Sequence, residues 1–304
     1  MRRMTGIGCL LAVGAMVCAF GLRAAEPITE RVSDTQNISG GGVWSFKDVE
    51  GVDERRVKVT ANASPSSFVV DNTQTDYIIT AANNASIGGK AGLVKKGSGT
   101  LRFEGIYNTF SGGLTVTGGT VVENGATSYK AWLGTGKGTN DYGNTIRLEN
   151  GVFDLNDSRN YNATTFSSVP THSWISLGTL TLGGQADGVM EIRNGSFGIY
   201  NATGIVYDAT NNPRTATIAA AYDVTHDGAT QVFRIGDSAA TDTELDFTGG
   251  LHVEDFATWA NGKNTTIEKT GAGTMQLSSK FGFPTLKVTG GTAVSYTHLR
   301  AHET

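Results

Sequence analysis

A chain of 304 residues with 41 glycines, 5 prolines and 38% hydrophobic residues is long enough to bury a core, and its punctuation favours many short strands over long helices. Its formal net charge of −4 repels duplex nucleic acid, and no basic stripe with interleaved aromatics and no polybasic patch for anionic lipid is present. Both cysteines, Cys9 and Cys18, lie in the first 24 residues, so beyond them no disulfide is available and stability must come from burial and backbone pairing.

Residues 1–24 read as a secretory signal peptide. Arg2 and Arg3 precede an apolar run over residues 7–22, and Leu22, Arg23 and Ala24 form a cleavage-type end. The run is shorter than the roughly 20 apolar residues that a membrane span needs. At the other end residues 294–304, VSYTHLRAHET, break the preceding rhythm and resemble the in-frame translation of a transposase-type sequencing-library adapter. The expectation is therefore an authentic chain that stops near Thr292, a domain spanning 25–293 and an artefactual tail. Without both ends, 20 basic residues face 27 acidic ones, a net charge of about −7.

Within 25–293 the chain opens on a polar segment, and Gly40, Gly41 and Gly42 lead into a first strand at Val43 to Phe46. Trp44 reads either as a cap over the open end of a core or as an ordinary core aromatic. Residues 55–61, 67–71 and 77–81 are predicted as short strands separated by Asn, Ser and Asp clusters. The stretch 92–122, GLVKKGSGTLRFEGIYNTFSGGLTVTGGTVV, is the best-formed unit. Thr100 to Phe103 and Leu114 to Thr117 alternate polar and apolar residues, the period of a half-buried strand. Glycines stand at each corner, where a chain turns tightly or passes close to another backbone.

A second copy occupies 266–293, TIEKTGAGTMQLSSKFGFPTLKVTGGTA, with Gly97, Gly99 and Thr100 matched by Gly271, Gly273 and Thr274. Between the copies strands are predicted at 145–150, 152–156, 174–182, 190–193, 196–200, 231–235, 244–247 and 251–253, and a turn or two of helix at 253–260. The pairs Asn150-Gly151 and Asn194-Gly195 admit two readings. A type I′ hairpin makes the fold an antiparallel sandwich or meander. A corner between strands of one coil makes it a solenoid. The step from Thr100 to Thr120 is 20 residues and that from Thr274 to Thr292 is 18, one coil of three short strands, which favours stacked coils, some 12 or 13 of them.

The unit resembles the autotransporter-associated β-strand repeat of bacterial surface and secreted proteins. Lys96, Gly97, Gly99, Thr100, Leu101, Asn108, Phe110, Gly112, Gly119 and Thr120 fit its pattern; the second copy keeps Lys269, Gly271, Gly273, Thr274, Gly291 and Thr292 but lacks the Asn and the aromatic-Gly step. The resemblance implies a right-handed parallel β-helix in the passenger of an exported protein, with a translocator barrel in the missing C-terminal part.

Chemistry-bearing clusters are sparse. His172, His226 and His252 share no ligand spacing and read as turn or surface residues, while His298, His302 and Glu303 belong to the presumed tail. Asp237, Asp242, Glu244 and Asp246 form the densest acidic group, without the spacing of an EF-hand or a calcium roll, and read as a solvated corner. Asp154, Asp157 and Arg159 suit a glycan-cleaving site only if carboxylates align across successive coils. No nucleophile elbow, phosphate loop or Cys-His pair occurs, and no cofactor is expected. The reading is an exported, non-enzymatic β-solenoid for surface display, stalk or adhesion, whose partners are host or environmental glycans or surface proteins. The alternative is a β-helix that binds or cleaves extracellular polysaccharide. A ladder of Asp, Arg, Lys or aromatic side chains on one face distinguishes them.

Overall fold

Alternation of buried and more exposed residues marks many of the strands in the computed structural model, such as Gly42–Lys47, Leu93–Lys96 and Thr230–Ile235. The structure describes residues 33–124, 145–156, 174–199, 202–224, 230–253, 266–279, 281–282 and 285–296. All the described strands fall in one unit, Arg31–Thr304. In Thr100–Glu104 and again in Thr266–Thr270 the second and fourth residues are buried and the others half-exposed, because successive side chains of an extended chain point to opposite faces.

The chain visits three faces in turn. From Leu93–Lys96 it turns into Thr100–Glu104, crosses Tyr107–Asn108, and returns through Leu114–Val116 to Thr120–Asn124. Strands of the first kind stack in a sheet of 10, those of the second in a sheet of 11, and the third face carries sheets of 2 and 5. Every pairing between described strands is parallel, for example Thr100 with Thr120 and Thr274 with Thr292. These are the steps of 20 and 18 residues seen in the sequence, and they make the fold a parallel β-helix. The antiparallel reading is thereby excluded: Asn150-Gly151 joins Ile146–Leu148 of one sheet to Gly151–Asp154 of the other, and Asn194-Gly195 joins strands of two different faces. Asn194 takes φ 58°, the left-handed corner conformation that Asn tolerates.

The steps of 20 and 18 residues lead to an expectation of 12 or 13 coils. The longest sheet has 11 described strands, because some coils are much longer than those of the two copies: Thr120 pairs with Val152, and Gly151 with Met190. Residues 1–32, and with them the signal-peptide reading, lie outside the described residues, as do residues 254–265, where helix was expected, and 297–304. The strand Thr292–Ser295 runs through Val294 and Ser295, the first two residues of the presumed tail.

In-register stacking builds the core. On the 11-stranded sheet Tyr77, Leu101, Val121, Phe153, Ile192, Ile218, Phe247 and Leu277 form one inward column, and all are buried. Each fully buried aliphatic or aromatic side chain contributes roughly 1.5–3 kcal/mol. Trp44 belongs to this core: it pairs with Phe68 and meets that ring edge-on at 5.3 Å.

Candidate functional site

The polar residues singled out in the two copies converge on one corner, where the 10-stranded sheet turns into the 11-stranded sheet. A buried lysine stands there in each copy. Lys95 occupies an inward column between Val70 and Val116 and has no exposed surface. Burying an ammonium group among apolar neighbours is costly unless its three donors are matched. The corner supplies the match: Lys95 Nζ donates to the carbonyls of Lys96 at 2.6 Å, Gly97 at 3.0 Å and Gly118 at 3.3 Å. Lys269, equally buried, donates to Gly271 at 2.9 Å and Gly290 at 2.7 Å.

The lysine of the first copy is therefore Lys95, where the sequence pattern pointed to Lys96. Lys96 is exposed. Two adjacent lysines hid the register, yet the clue was present, since Lys95 and Lys269 each stand two residues before the Gly-x-Gly of their copy, at Gly97 and Gly271.

The glycines surround this amine for steric reasons. Gly97 has φ +67° and Gly271 φ +82°, and a Cβ at either would fall on a carbonyl of the preceding coil, that of Asn72 or of Ile235. Gly119 and Gly291, at φ +74° and +62°, would drive a Cβ to within 2.7 and 2.5 Å of the lysine Nζ. Left-handed backbone and absent side chain are both required there. Gly99 and Gly273 likewise lie against the coil beneath, and Gly112 lies on the backbone of Gly92.

Carboxylates from the preceding coil complete the corner. Thr100 N donates to Asp76 Oδ1 at 2.8 Å, and Thr274 N donates to Glu244 Oε2 at 2.5 Å. Beyond the lysine, the amide of Thr117 bonds the Lys95 carbonyl and that of Thr289 the Lys269 carbonyl, both at 2.9 Å. One corner thus ties together three consecutive coils. Burial pushes the Lys95 amine down to about 8, opposed by Asp71, Asp76 and Asp48, and it pushes Lys269 down against Glu244. At neutral pH the Lys95 amine is protonated and offers all three donors.

The other predicted residues divide. Thr100 and Thr120 are register partners, as are Thr274 and Thr292, and Leu101 lies in the inward column. Phe110 packs edge-on against Phe68 at 6.4 Å. Asn108 is fully buried, and neither of its side-chain polar atoms has a partner among the described residues. The acidic group is not brought together as a cluster: Glu244 is buried on the amides of Ser238 and Thr274, Asp246 accepts from Gln276 and Ser278, and Asp237 and Asp242 are exposed. Asp154 is held by Arg193 and Asn194, while Asp157 and Arg159 lie outside the described residues, as do His172 and His226. His252 lies in the strand Leu251–Val253. Asp76 and Lys95 escaped sequence reasoning, and Glu244, read as part of a solvated corner, is buried instead, since a carboxylate's role here depends on which coil lies beneath it.

No curated protein and no solved structure matches the chain. Residues 93–122, the stretch that carries the Lys95 corner, match the passenger-associated-transport-repeat family, a match of this stretch that supports an autotransporter passenger repeat there.

Proposed function

We propose that this chain is a non-enzymatic, exported β-solenoid that serves as a display, stalk or adhesion segment of an autotransporter-like protein. The observation that carries the reading is the passenger repeat at 93–122 lying within an 11-strand parallel stack that runs from Ser33 to Ser295. A repeat whose lysine, glycines and carboxylates are all spent on joining coils supports a role in building length. The same view takes residues 1–24 as the export signal, the cell surface or the exterior as the destination, and a translocator barrel as the expected downstream partner. Surface glycans or surface proteins are the natural contacts of such a segment.

A glycan-cleaving β-helix needs carboxylates free to act on substrate. Asp154, the described member of the Asp154, Asp157 and Arg159 group, is committed to Arg193 and Asn194.

The test has two parts. Protease added to intact cells that produce the natural reading frame is expected to digest the chain; a chain protected until the cells are lysed contradicts export to the surface. Purified chain incubated with polygalacturonate and neutral glucans is expected to release no new reducing ends, and their appearance overturns the non-enzymatic reading.

A further inference from the structure

The outer face of the 10-stranded sheet carries a shallow groove of about 700 Å³. One outward ladder forms its floor: Arg147 pairs with Thr181, Thr181 with Val206, Val206 with Arg234 and Arg234 with Thr270. Asp208 stands at its side. The two arginines differ. Arg147 is spent, with Nη2 on Asp208 at 2.9 Å and Nε on Glu149 at 2.6 Å. Arg234 is exposed, and no carboxylate is bonded to it among the described residues.

We infer that this groove binds an acidic oligosaccharide, with the Arg234 guanidinium taking a sugar carboxylate. Arg147 is held by both Asp208 and Glu149, so Arg234 is the charged group of the groove lining that has no bonded counter-charge among the described residues. A planar guanidinium offers two parallel donors to a carboxylate. On the ladder Arg234 stands between Val206 and Thr270, an apolar surface and a hydroxyl, which suit the C–H face and the hydroxyls of a pyranose. Successive rungs lie about 4.8 Å apart, close to the length of one sugar ring, so neighbouring sugars meet neighbouring coils. The inference goes beyond the scaffold role and holds wherever the chain resides.

The experiment is calorimetric titration of the full chain with trigalacturonate, with galactotriose as the neutral comparator and tetraglutamate as a peptide of like charge. Trigalacturonate is expected to bind with an affinity that falls as salt is raised, and galactotriose to bind at least tenfold more weakly. Arg234→Gln, an exposed substitution that leaves the core intact, is expected to weaken trigalacturonate at least tenfold. Arg102→Gln, on the other large sheet, is expected to leave it unchanged. Absence of trigalacturonate binding, equal binding of galactotriose, tighter binding of tetraglutamate, or an equal loss in Arg102→Gln would each overturn the inference.

Discussion

The two copies of the repeat share one corner chemistry but differ in how much of themselves they bury. In the first, Leu114 is 1% exposed and Val121 is fully buried. In the second, the equivalent Leu286 and Ala293 are only partly buried against the core. The bonds of Lys95 to Gly97 and of Lys269 to Gly271 are nearly the same, as are the amide bonds of Thr117 and Thr289. What separates the copies is the neighbour that follows. Leu114–Val116 and Thr120–Asn124 are covered by Ile146–Leu148 and Gly151–Asp154, whereas Thr285–Val288 and Thr292–Ser295 stand at the margin of the described sheets. A coil carries the pattern for its own shape, but its core is completed by the next coil. Stability in such a stack is a sum of local and nearest-neighbour terms.

The comparison can be broken by substitution. Gly119→Val combines forbidden backbone with a clash on the Lys95 amine, and is expected to cost about 4 kcal/mol in denaturant unfolding followed by circular dichroism. Gly291→Val, at the less covered corner, is expected to cost about half of that. Equal losses at the two sites contradict the role given to the following coil.

Removing the amine comes next. Lys95→Met leaves three carbonyls without their donor and is expected to cost about 3 kcal/mol, against about 1 kcal/mol for Lys269→Met. A neutral or stabilising Lys95→Met means that burial of the charge outweighs its bonds.

The pH dependence sharpens the same point. In the folded chain the Lys95 amine releases its proton near 8, and in the unfolded chain near 10.4. Between these values the unfolded state binds more protons, so the contribution of Lys95 to stability rises with pH. The stability difference between wild type and Lys95→Met is expected to widen by about 2 kcal/mol from pH 8 to pH 10. A difference that shrinks over this range shows that the carbonyls hold the ammonium form more firmly than burial expels it.

A further effect, smaller than that at Lys95, lies beneath the corner. Asp76→Ala removes the acceptor of the Thr100 amide and is expected to cost about 1.5 kcal/mol by the same denaturant assay. No loss of stability indicates that water replaces the carboxylate at no cost.

Part of the architecture was legible because two coils of the parallel stack carry the same corner motif. The pairings of Thr100 with Thr120 and Thr274 with Thr292 follow from the glycine-threonine spacing alone. The longer coils were not legible, since nothing local records that Gly151 pairs with Met190 across a long excursion. Lys95 was obscured by Lys96, although the inward phase that Lys95 shares with Leu93 separates them. Asp76 and Glu244 depend on which residue lies one coil below, and a coil of variable length hides that. The Asn-Gly pairs were ambiguous for a related reason: a hairpin and a solenoid corner use the same left-handed conformation, and only the pairing partner tells them apart.

The central claim is that the buried lysine ties its own coil to the coil that follows it. Hydrogen exchange read by mass spectrometry on the native chain, with and without Lys95→Met, tests it most directly. The account predicts that the substitution lowers protection in the peptide spanning residues 117–122 as well as in 93–99, while Thr285–Ser295 is unaffected. Loss of protection confined to residues 93–99 would contradict it.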